Sequence, residues 1–133
     1  QAALAGKPLE VYGDGLQTRC FCDVRDVVRV LPELLAVPDC TGRVFNVGSD
    51  EPIRIGELAE LVVKTLGSNS EIRYVPYREA FGEGFDDLHD RLPDLSRLRE
   101  ATGFQARIPL VDTIRDLAES LSAAAHPGLE RSV

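Results

Sequence analysis

Apolar positions along the chain fall into two rhythms. Val24, Val27, Val28, Leu31, Leu34 and Leu35 form one series at helical spacing. Ile55, Leu58, Ala59, Val62 and Leu66 form a second, and Leu110, Ile114, Leu117, Ala118 and Leu121 a third. Each series puts its apolar side chains on one face and predicts an amphipathic helix. Asp23, with Asp26 three residues on, predicts a cap and a favourable dipole contact for the first helix. Pro32 lacks a backbone donor, which predicts a kink or an early end. Gly67 is a stop signal for the second helix.

Between these series lie short apolar runs. Leu9 to Tyr12 and Thr18 to Cys22 read as strands joined through the turn Gly13-Asp14-Gly15. Arg43 to Val47 (RVFNV) reads as a buried parallel strand, and Glu71 to Val75 (EIRYV) as an alternating strand ending at Pro76. Tyr77 to Leu92 is acidic, contains glycine and shows no period, so it reads as a loop. Asp94 reads as the cap of a short helix from Leu95 to Ala101, closed by Gly103. Residues 123–133 read as a frayed, disordered tail. Strands alternating with helices give an α/β class, with short strands and about four helices.

Composition narrows the function classes. A chain of 133 residues fits one domain able to bury its own core. Its 15 basic against 22 acidic residues leave a net charge of −7, which disfavours nucleic acid and anionic membranes as partners. No apolar run is long enough to cross a bilayer, and no signal peptide opens the sequence. Cys20, Cys22 and Cys40 lack metal-site spacing, so they read as packing residues in a reducing cytoplasm with no metal bound.

No catalytic constellation stands out. Gly13-Asp14-Gly15 is followed by Thr18 and an extended segment, unlike a dinucleotide fingerprint that opens a helix. His89 and His126 lack the neighbours of a triad. Arg19, beside Phe21 and after a glycine turn, suits bidentate phosphate binding, yet a solvated strand arginine is the default.

A resemblance shifts that balance. KPLEVYGDGLQTRCFCDVRDVV resembles the pattern PLxVYGDGxQxRDFxYVxDVV of extended short-chain dehydrogenases/reductases, the NAD-dependent nucleotide-sugar epimerases and dehydratases (UDP-glucose 4-epimerase-like). VFNVGSDEPIRIGELAELV and RLPDLSRLREATGF follow in the matching order. The resemblance implies the C-terminal, substrate-binding portion of such an enzyme across residues 1–122, without its N-terminal Rossmann half. It implies that Arg19 and Arg91 hold the substrate diphosphate, that Val11 and Tyr12 flank the base, and that Gln17 lies in the same loop. Asp26 and Asp94 come out as structural. The family's Tyr-x-x-x-Lys is missing, since Tyr12, Tyr74 and Tyr77 have Leu16, Arg78 and Phe81 four residues on.

The resemblance therefore implies a nucleotide-diphosphate sugar as ligand, no catalytic residue in this chain, and NAD as the cofactor of the parent enzyme only. The missing Rossmann portion and a second copy of the chain are the implied protein partners. A stand-alone nucleotide-sugar-binding or regulatory module and a degenerate, inactive fragment are the alternatives. Two departures from the family pattern bear on the site: Cys20 stands where Asp is usual, and Arg54 where a helix-capping Ser or Thr is usual.

Overall fold

The structure, a computed structural model, describes residues 1–85 and 87–124. In chain order it contains strands β1 (Leu9–Tyr12) and β2 (Thr18–Cys20), helix α1 (Val24–Ala36), strand β3 (Pro52–Arg54), helix α2 (Ile55–Leu66), strand β4 (Ile72–Val75), and helices α3 (Tyr77–Phe81), α4 (Ser96–Thr102) and α5 (Leu110–Ala124). The α/β class expected from the sequence holds. The described residues fall into two compact units, residues 1–15 with 56–85 and 111–124, and Leu16–Ile55 with Asp87–Leu110.

In the first unit β1 pairs with β4 in parallel, Leu9 opposite Ile72 and Tyr12 opposite Val75. The Gly13–Gly15 turn therefore does not close a hairpin, because β1 and β2 take different partners. Val11 and Val75 are buried on the ladder, and Ala3, Ala59 and Ala118 are buried elsewhere in the unit. The turn needs its glycines. Gly13 has φ +80, and a Cβ there would lie 2.6 Å from the Tyr77 ring. Gly15 has φ +74, and a Cβ there would lie 2.8 Å from the Tyr74 ring.

The second unit is built round Val30, Leu98 and Phe104, with Cys22, Leu34, Phe45 and Val47 packed against them. β2 and β3 form its antiparallel pair, Thr18 opposite Arg54 and Cys20 opposite Pro52. Asp23 caps α1 by accepting from the Arg25 amide, as the sequence predicts. Asp26 does something else. Its buried carboxylate accepts from the backbone N–H groups of Arg107 at 2.8 Å and Ile108 at 3.0 Å, and from the Arg29 guanidinium at 3.0 Å. It anchors a distant segment, and is no part of the cap.

Four other expectations change. Arg43–Val47 is not a strand. Phe45 and Val47 do turn to the core, but Val44 is 78% exposed and the segment has no ladder partner among the described residues. The third strand lies instead at Pro52–Arg54, where β2 supplies a partner. Tyr77–Phe81 is a short helix inside the expected loop. Phe81 there stacks on Phe85 at 4.4 Å and meets Tyr12 edge-on at 5.1 Å. Pro32 does not end α1, which continues to Ala36 with the proline exposed. Finally, α5 runs to Ala124, past the start of the expected tail at 123, and residues 125–133 lie outside the described residues.

Candidate anion-binding recess

Arg19 leaves the middle of β2, between two residues whose pairing with β3 fixes the strand. A strap of chain from Asp87 to Arg91 lies along the same strand. The Thr18 amide donates to the His89 carbonyl at 2.9 Å, and the Thr18 hydroxyl donates to Asp90 Oδ1 at 2.6 Å. The Cys20 thiol reaches the Arg91 carbonyl at 3.5 Å. These bonds fix the strap without using the side chains of Asp87 or Arg91. The Thr18 hydroxyl bond, aided by His89, holds the Asp90 carboxyl below the usual carboxylate range.

The Arg19 guanidinium is tethered from two sides. Nη1 donates to the carbonyl of Thr18 at 2.7 Å and to that of His89 at 3.3 Å, and Nη2 donates to Asp87 Oδ2. Arg91 approaches the other oxygen of that carboxylate, Nη2 to Asp87 Oδ1 at 3.4 Å. The structure thus brings together two arginines 72 residues apart in sequence (91 − 19 = 72), with one aspartate between them. Their formal charges sum to 2 − 1 = +1, in a chain whose net charge is −7.

Beside them opens a recess of about 420 Å³, lined by Arg19, Cys20, Arg91, Leu92 and Pro93 and by Val47–Ser49. Asp50, next along that wall, is gripped bidentately by Arg99 of α4 at 2.8 and 2.9 Å. That grip lowers the Asp50 carboxyl and raises the Arg99 guanidinium. Burial, then the nearby Asp50 charge, pushes the Cys20 thiol up, so it faces the recess as a neutral group. The cysteine standing where Asp is usual therefore subtracts no positive charge from the recess.

The remaining expected site residues fall differently. Gln17 is buried just before β2, and its carbonyl accepts the Ile55 amide at 3.0 Å. The Gly15 carbonyl accepts the Gly56 amide at 2.9 Å, so backbone oxygens serve the start of α2 where Arg54 cannot. Val11 and Tyr12 belong to the other unit. At 2% exposure Val11 is a core side chain. Tyr12 is exposed at the edge of the Phe81 cluster and donates its hydroxyl to Glu10 at 3.2 Å, which raises the hydroxyl's pKa. Sequence reasoning missed Asp87, which sits in the stretch read as a loop, and the Asp50–Arg99 grip.

The Gly13–Gly15 turn packs against the Tyr77 and Tyr74 rings, and strand β2 rather than a helix N-terminus follows it. Among the described residues no group of three or more His, Cys, Asp or Glu is placed to hold a metal ion. No helix there is long and apolar enough to cross a membrane.

Comparison with known proteins gives a consistent picture. Residues 1–48 match the family described as NAD dependent epimerase/dehydratase family. The chain is 36% identical over 110 residues to a UDP-N-acetyl-alpha-D-glucosaminuronate decarboxylase of Bacillus cytotoxicus, covering 81% of this chain and 33% of that protein. It is 37% identical over 108 residues to UDP-glucuronic acid decarboxylase 4 of Arabidopsis thaliana, covering 81% of this chain and 23% of that protein. The chain thus spans a third or less of the length of these curated relatives. Among solved structures, MoeE5 in complex with UDP-glucose and NAD superposes with a TM-score of 0.77 at 28% identity, over 93% of this chain and 40% of that one. A UDP-glucose 4-epimerase of Thermotoga maritima shares the fold with a TM-score of 0.80 at 23% identity, over 94% of this chain and 38% of that one.

Proposed function

From the premise that this chain belongs to the NAD-dependent epimerase/dehydratase family, with the fold of the C-terminal portion of an extended short-chain dehydrogenase/reductase, we propose that it binds the nucleotide-diphosphate sugar. Arg19 and Arg91 hold the diphosphate, and the recess beside them receives it. The observation that carries this reading is the convergence of the two guanidinium groups on one carboxylate at an open cavity. Two forks aimed at one point suit the adjacent phosphoryl oxygens of a diphosphate. Relatives whose names carry UDP-uronic acids support that ligand class.

In this reading the chain orients the substrate and residues outside this sequence perform the hydride chemistry. NAD, which a relative's structure holds, is placed in this reading with those residues, because a strand and not a helix follows the Gly13–Gly15 turn. When bound there it takes up and returns hydride. Remote binding of the diphosphate places the sugar for that step. Three free thiols suit a reducing cytoplasm, and the acidic surface leaves nucleic acid and membranes aside.

The test is UDP titration of the chain by calorimetry. Arg19→Ala removes a charge-assisted hydrogen bond of about 1.5–3 kcal/mol and should weaken UDP roughly ten- to a hundredfold. Arg19→Lys should recover part of this, because a point charge cannot replace the fork. Unchanged affinity in Arg19→Ala would return Arg19 to the role of a solvated arginine.

A further inference from the structure

Asp87 occupies the position that the proposed function reserves for a ligand. Its two oxygens face two different arginines, Oδ2 toward Arg19 and Oδ1 toward Arg91. A phosphoryl group gripped by the same two forks would present its oxygens in the same way. Resting on the reading that Arg19 and Arg91 bind the diphosphate, we propose that Asp87 is a built-in stand-in for that anion, which holds the two arginines in register while the recess is empty and swings aside when the diphosphate arrives.

Three observations support the exchange. The first is charge. A carboxylate left between the arginines would face a dianion at contact distance, and like charges in a half-buried site repel strongly. The second is mobility of the right kind. The strap is clipped to β2 through the Thr18 amide, the Thr18 hydroxyl and the Cys20 thiol, none of which involves Asp87. A change of the Asp87 rotamer therefore breaks none of these three clips. The third is that Arg19 keeps its bonds to the Thr18 and His89 carbonyls when Asp87 departs. Its guanidinium then stays aimed at the recess, and only the acceptor changes.

The stand-in has a measurable cost. The diphosphate must displace a carboxylate already bound, so the wild-type chain binds its ligand more weakly than the two arginines alone allow. Asp87→Asn keeps the shape and removes the charge. It should tighten UDP by about two- to fivefold, the scale of a partly exposed ion pair, and leave uridine binding unchanged. Inorganic pyrophosphate should gain by a similar factor, since it has no ribose or base to confuse the result. In the wild-type chain, which needs no variant to fold, the carboxyl carbon resonance of Asp87 should shift on saturation with pyrophosphate. Asp87→Asn that weakens UDP or leaves it unchanged, with the circular dichroism of the wild type retained, overturns the stand-in. An unmoved Asp87 carbon at saturating pyrophosphate does the same. The parallel Arg19→Ala titration keeps the two ideas apart. If it weakens UDP while Asp87→Asn fails to tighten it, the stand-in alone is wrong. If Arg19→Ala has no effect, the diphosphate reading falls first.

Discussion

Replacing Asp26 by alanine tests whether the second unit is held by a buried carboxylate. Asp26 is 2% exposed and takes three hydrogen bonds, from the Arg107 amide, the Ile108 amide and the Arg29 guanidinium. Truncation leaves two backbone donors and a charged one without this acceptor. A lost hydrogen bond to a charged group costs about 1.5–3 kcal/mol, and breaking a buried pair by removing one partner costs about 3–5 kcal/mol in total. The three losses overlap, because water enters once for all of them, so the expected cost is about 3–5 kcal/mol. That is a large share of the stability of a small domain. Arg29 also lies over the Phe104 ring at 5.4 Å, so part of its positioning survives the loss of Asp26.

The pH dependence gives a second, independent readout. Burial alone would raise the Asp26 carboxyl, but the two backbone amides and Arg29 outweigh it and hold the group below the usual carboxylate range. A folded-state pKa lower than the unfolded one stabilises the fold above the unfolded value, near about 3.9. That contribution disappears as the pH falls through the lower folded value. The gap in urea midpoint between wild type and Asp26→Asn should therefore be wide near neutrality and narrow at acid pH. Urea titrations followed by circular dichroism measure both quantities. A loss under about 1 kcal/mol for Asp26→Ala, or a gap that does not change with pH, would refute the anchor.

Two further outcomes follow from exposed features. Val24, Val28, Leu31 and Leu35 form an exposed apolar stripe on α1, and Val44 is exposed nearby in sequence, so the isolated chain should self-associate. Leu35→Glu should lower the mass seen by light scattering, and a monomeric wild type at high concentration would contradict this. The chain should also show no micromolar affinity for NAD, because a strand and not a helix N-terminus follows the glycine turn; a calorimetric titration that saturates in that range would disprove it.

The elements most legible in the sequence are those whose signals are local. The three amphipathic series gave α1, α2 and α5, and Gly67 and Gly103 mark helix ends with φ +58 and +68. RVFNV failed for the opposite reason. Its alternation is real, with Phe45 and Val47 turned inward, but a strand also needs a neighbour, and the described residues give it none. Asp26 was read from its place in the first turn of α1, where a cap is the nearest explanation. Its actual partners lie 81 and 82 residues away, beyond any local rule.

The recess shows the same limit at the level of function. Arg19 was visible because a glycine turn and an aromatic neighbour frame it, and Arg91 was visible only through the resemblance. Asp87 has neither kind of signal. It is one acid in a stretch that reads EGFDDLHD, and nothing in that run says which carboxylate turns toward a cation. The choice is made by the strap's register on β2. Once the Thr18 amide meets the His89 carbonyl and the Thr18 hydroxyl meets Asp90, Asp87 and Arg91 are fixed on either side of those residues, where both reach Arg19's surroundings. A one-residue slip would turn the side chains of an extended strap to the opposite face. Thr18, which touches neither arginine through its side chain, therefore decides whether the two forks share an anion at all.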